Sequence, residues 1–158
     1  MSLRDFLLFA SLAFIVVMTP RRPFIGAIGW VLFGIMNPHR LTWGAAYSFP
    51  FSQVIALTTL LGLFLNLKKY KLKGGAAAVV LVIFFCWACV TTVFAFHFSE
   101  SVEYLGRVLK IYAMTFVLLM LTTSRAEVIQ LVGALAISLG FYGAKGGLFV
   151  VATGGSYM

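Results

Sequence analysis

From Gly75 to Phe96 the chain runs twenty-two residues, GAAAVVLVIFFCWACVTTVFAF, without one charged side chain. About 20 such residues in helical form cross the ~30 Å hydrocarbon core of a bilayer. A helix also satisfies its own backbone N–H and C=O groups, as that core demands. Five further apolar runs accompany it: Phe6–Thr19, Pro23–Met36, Phe51–Leu67, Tyr104–Thr122 and Val128–Thr153. Only 10% of the 158 residues are charged, against about a quarter in a typical soluble domain. Too little polar sequence remains to cover a globule. The chain therefore reads as all-α, a polytopic membrane helical bundle with about six transmembrane helices. The first two runs hold fourteen residues each and rise only ~21 Å. They are short spans or a re-entrant hairpin, interrupted at TPRRP by Pro20 and Pro23.

Charge sets the orientation. The formal net charge is +8, and basic residues collect in cytoplasmic loops. Lys68, Lys69, Lys71 and Lys73 lie between the third and fourth runs, so the loop Lys68–Lys73 is expected to be cytoplasmic. Alternation then puts Arg21, Arg22 and Arg125 inside as well. It puts NPHRLTWGAAYSF, HFSESVEY and both chain ends outside; where the first two runs do not both cross, the N-terminus moves inside and the rest stands. Trp43, Tyr47 and Tyr104 fall at the outer interface, where aromatic residues gather.

Against this apolar background the buried-sequence cations stand out. The fifth run opens EYLGRVLKIYAM, with Glu103, Arg107 and Lys110 at i, i+4 and i+7 on one helical face. Ionisable groups inside a membrane segment cost about 2.5–3.5 kcal/mol each on insertion scales and face protein or a wet cavity. A plain account pairs Glu103 with Arg107 and lets Lys110 snorkel to the surface. Depth refines this. Lys110 lies about 22 Å from Arg125 along a helix, and Lys145 about 27 Å from Glu127. Both therefore belong to the outer leaflet, with His39 and Arg40 of NPHR in an adjoining loop. Arg107, Lys110, Lys145, Arg40 and His39 are the candidate anion-binding residues, since arginine forks and lysine ammonium groups suit phosphate and pyrophosphate. Gly140, Gly143, Gly146 and Gly147 flank Lys145, and Gly143–Gly147 fits a G-x-x-x-G helix-packing pattern.

Other chemistries lack their residues. Cys86 and Cys89 form a C-x-x-C pair with no second pair to complete a zinc site, and they read as small packing residues. The four acids Asp5, Glu100, Glu103 and Glu127 form no pair for acid–base work, and no metal cluster or Ser-His-Asp set is present. No metal, no cofactor and no nucleic-acid partner is expected. The N-terminal run lacks a small-x-small cleavage site and is followed by further spans, so it does not read as a cleaved signal peptide.

Three strings, RRPFIGAIGWVLFGIMNPHRLTWGAAYSFPFSQVIALTTLLGLF, RVLKIYAMTFVLLMLTTSR and ISLGFYGAKGGLFVVATGGSY, resemble the N-terminal region of exosortase-associated O-glycosylation ligases, within the O-antigen ligase/polymerase superfamily. The resemblance implies a multi-pass protein of the bacterial inner membrane. It implies transfer of a glycan from undecaprenyl pyrophosphate to an acceptor, a protein in this subgroup, at the periplasmic face, without a metal. It also implies that catalytic Arg and His residues belong to a large periplasmic loop further along such chains, so no catalytic residue is carried over. The 158 residues are expected to form a single N-terminal transmembrane domain of a longer chain, part of a larger bundle and inactive alone. The alternative function is a transporter or flippase-like protein for an anionic lipid-linked substrate. A third is a structural partner whose cations only pair or snorkel.

Overall fold

The computed structural model describes residues 3–70 and 75–155. Among them are six α-helices: α1 (Leu3–Met18), α2 (Pro23–Met36), α3 (Phe51–Leu65), α4 (Ala76–Val93), α5 (Phe98–Leu121) and α6 (Arg125–Thr153). A short 3-10 helix, Pro38–Leu41, follows α2. The helix ends follow local chemistry. Pro23 opens α2, where its missing N–H costs nothing. Asn37 closes α2 with a left-handed φ of 43°, and Pro38 prevents continuation. Ser124 and Glu127 form a reciprocal capping box at the start of α6.

Helix α2 is the centre of the bundle, in contact with α1, α3, α5 and α6, while α4 packs on α5. Glycines make the inner contacts close. A Cβ on Gly26 would run into the side chains of Thr19 and Thr59, and one on Gly62 would lie 2.7 Å from the Thr19 carbonyl oxygen. Thr19 and Thr59 are fully buried. Their hydroxyls donate to the carbonyls one turn back, Ile15 and Ile55, at 2.6 Å each, so no hydroxyl is left bare at the junction.

The helices alternate in direction, and two ends can be identified. At one end the Asn66 amide donates to the Pro20 carbonyl at 3.0 Å, joining the α1–α2 turn to the end of α3. Phe24, Leu63, Tyr70 and Leu121 share a buried cluster there. Arg21, Arg22, Lys68, Lys69 and Arg125 therefore crowd one end, all exposed. At the other end, Gly44 lies against the buried carboxylate of Asp5, and the Tyr142 hydroxyl donates to the Met36 carbonyl at 2.6 Å. The loop expected to be cytoplasmic is described only in part, since Lys71 and Lys73 lie outside the described residues.

Three of the six helices, α4, α5 and α6, are long and apolar enough to cross a membrane. They mark the chain as a helical membrane protein. About six such spans were expected, so the count by length and composition is smaller. Helices α1, α2 and α3 hold 16, 14 and 15 residues. The third apolar run promised a longer helix, but α3 stops at Leu65. The Asn66 side chain folds back on the Gly62 carbonyl at 2.8 Å as well as reaching Pro20, which ends the helix two residues before the run does. The fifth run shows the opposite error. HFSESVEY was expected as an outer loop, yet α5 starts at Phe98. Hydropathy marks where apolar residues begin. A helix begins earlier when an acid such as Glu100 favours its first turn.

Candidate functional site

Helix α5 carries Arg107 and Lys110 on one face, and α2 and α3 decide what that face meets. Toward the end opposite the arginine cluster, α3, α5 and Trp30 of α2 enclose a groove of about 360 Å³. Ser52 and Gln53, in the first turn of α3, line it on one side and Lys110 on the other. Below them the walls are apolar: Ala56, Leu57 and Leu60 from α3, and Ile111, Ala113 and Met114 from α5. Met114 is buried, whereas Leu57, Leu60, Ile111 and Lys110 are exposed, so the groove opens sideways at the surface of the bundle. No side chain caps the first turn of α3; its Phe51 N–H donates to the Phe49 carbonyl, and its Gln53 and Val54 N–H groups to the Pro50 carbonyl.

The other four candidates do not line this groove. Arg107 pairs with Glu103 one turn away and lies over the Tyr104 ring at 5.3 Å. Both members of the pair are well exposed. Arg40 is exposed and sits over the Tyr47 ring at 4.9 Å. Lys145 is exposed on α6, one turn beyond Tyr142. The packing expected around it is not made: a Cβ on Gly140, Gly143, Gly146 or Gly147 would meet nothing within 4 Å. The close helix approaches are at Gly26 and Gly62 instead. His39 turns inward, only 8% exposed, and stacks on Phe51 at 5.5 Å. Of the five candidate residues, Lys110 alone lines this groove.

Ser52 and Gln53 were overlooked in the sequence. The signal was present, since they are a polar pair at the head of the apolar run FSQVIALTTLLGLFL. No group of three or more His, Cys, Asp or Glu among the described residues is placed to hold a metal ion. Cys86 and Cys89 are free thiols on α4.

Comparison with known proteins finds a match over residues 3–158 to a family of unknown function, DUF5935. The chain belongs to the DUF5935 family. No curated protein and no solved structure matches it.

In this DUF5935 chain, His39 belongs to the scaffold beneath the site. Its carbonyl accepts from the Thr42 hydroxyl at 2.8 Å, which fastens the 3-10 turn. Its Nδ1 has no hydrogen-bond partner among the described residues. Burial, reinforced by the charge of Arg40, lowers its pKa below the ordinary 6.5. The folded chain therefore holds this imidazole neutral, while the unfolded chain protonates it more readily. The contribution is fully present above pH 6.5 and declines as pH falls from there through the lowered folded value. Thermal unfolding in detergent is expected to show lower stability at pH 5 than at pH 7.5, and His39→Gln should flatten that difference. An equal pH slope in the variant would remove His39 as its source.

Proposed function

We propose that this chain is the lipid-receiving membrane part of a bacterial glycan ligase. Its groove takes the carrier lipid of an undecaprenyl pyrophosphate-linked glycan, with the headgroup at Lys110 and the first part of the hydrocarbon chain along Leu57, Leu60 and Ile111. The observation that carries this reading is Lys110, facing Ser52 and Gln53 at the head of an otherwise apolar, sideways-open groove. A lysine and an amide on the lipid-facing side of a bundle are costly without a polar partner. A lipid phosphate at the interface supplies one, through charge-assisted hydrogen bonds. The groove is at the small end of the ~300–1,000 Å³ range of ligand pockets. That suits a headgroup and the start of a chain, with the remaining lipid left in the bilayer.

The direction of the site follows from charge. With Arg21, Arg22, Lys68, Lys69 and Arg125 on the cytoplasmic side, the polar rim of the groove faces the periplasmic leaflet of the inner membrane. The resemblance to exosortase-associated O-glycosylation ligases supplies the reaction, transfer of the glycan to an acceptor protein on that side. The residues described here hold the donor in this scheme.

Binding of a polyprenyl diphosphate to the chain in nanodiscs is expected to weaken by about tenfold or more in Lys110→Gln, the loss of one hydrogen-bonded charge. Unchanged affinity would refute the site. Loss of the gene should also remove the glycan from its acceptor proteins, read by mass spectrometry. Intact glycosylation in that strain would refute the ligase role.

A further inference from the structure

We propose that Glu103 stands in for the second phosphate of a diphosphate lipid, and so lets the site tell diphosphate from monophosphate lipids. This rests on the groove below Lys110 being a lipid-phosphate site.

Helix α5 presents two cations at two heights on one face. Lys110 lines the groove. Arg107 is three residues nearer the start of α5, about 4.5 Å further out along the helix axis. Their states differ. Among the described residues no acid pairs with Lys110, whereas Arg107 is engaged by Glu103. A carboxylate offers a guanidinium the same two-oxygen geometry as a phosphate.

A lipid with one phosphate is satisfied at Lys110 and leaves the Arg107–Glu103 pair intact. A lipid with two phosphates, entering from the apolar end, extends outward past Lys110, and its outer phosphate reaches Arg107 only by displacing Glu103. That exchange is inexpensive, because the two side chains are 65% and 70% exposed and exposed ion pairs contribute little to stability. Arg107 also keeps a second support when Glu103 leaves, the Tyr104 ring beneath it. Glu103 therefore occupies the outer position in the empty state and shields Arg107 from chance anions.

The test compares four proteins in nanodiscs: wild type, Glu103→Gln, Arg107→Gln and the double variant. Each is titrated with a polyprenyl monophosphate, a polyprenyl diphosphate and inorganic pyrophosphate. Glu103→Gln is expected to tighten diphosphate binding by about fivefold, the scale of an exposed ion pair, with monophosphate binding nearly unchanged. In the Arg107→Gln background the same change should have no effect. Equal tightening for both lipids, or tightening that persists without Arg107, would reduce Glu103 to a general repulsive charge and overturn the proposal. Inorganic pyrophosphate at equal concentration should displace the diphosphate lipid poorly, and complete displacement would overturn the lipid assignment. Lys110→Gln keeps the two readings apart. If it leaves both lipids bound at wild-type strength, the groove itself is not the site. If it weakens both while Glu103→Gln alters neither, the groove stands and Glu103 has no part in it.

Discussion

Phe51→Ala is expected to lower the unfolding free energy by about 3–5 kcal/mol, the usual cost of emptying a phenylalanine site in a packed core. Phe51 is fully buried. Its ring stacks on Phe33 at 5.5 Å and on His39 at 5.5 Å, and meets Phe9 at 5.3 Å and Phe49 at 5.0 Å. These partners come from α1, α2, the 3-10 turn and the loop before α3, so one side chain joins four parts of the chain. Apolar transfer contributes less in a membrane than in water, but the lost packing contacts are not replaced by lipid. The site should suffer too, because Ser52 and Gln53 follow directly in the same helical turn. Unfolding by denaturing detergent, followed by circular dichroism, measures the first effect, and diphosphate-lipid binding the second. A loss under about 1 kcal/mol would mean that the cavity collapses and that Phe51 is not the hub.

Gly62→Ala is expected to cost about 1–3 kcal/mol, a typical penalty for overpacking. The new methyl group would sit 2.7 Å from the Thr19 carbonyl oxygen and 3.4 Å from the Pro23 side chain. The carbonyl belongs to backbone at the end of α1, so it yields only if the α1–α2 turn shifts. Asn66 donates to Pro20 in that turn, and the shift would strain that bond. Gly143→Ala is the matched control. Nothing lies within 4 Å of its Cβ position, and alanine favours a helix by up to about 1 kcal/mol over glycine. The two substitutions should therefore have opposite signs in the same unfolding assay. Equal effects would show that the inner glycines are not there for close packing.

Much of the architecture was legible in the linear chain, and the misses share a cause. Six apolar runs became six helices because hydrophobic length is a local property. The pairing of Glu103 with Arg107 was legible for the same reason, since i and i+4 are neighbours on any helix. The heights of Lys110 above Arg125 and of Lys145 above Glu127 needed only the rise per residue of a helix. Helix α3 came out shorter than its run because Asn66 finds a partner at Pro20, forty-six positions away. The four exposed glycines around Lys145 looked like a packing motif, while Gly26 and Gly62 did the packing. Spacing shows which glycines share a face, but not whether another helix arrives there.

The sequence by itself determined the helical membrane class, the basic end and the position of each cation along its own helix, because all three depend on composition, charge and counting along one helix. Only the tertiary structure decided which cation has a pocket. Lys110, Ser52 and Gln53 meet because α3 and α5 both pack against α2, and Arg107, one turn away on the same face, is left to Glu103. His39 stood in the sequence as a candidate anion ligand in an outer loop, and the fold turned it inward onto Phe51. Contacts between distant segments are set by how helices pack, and no local pattern encodes them.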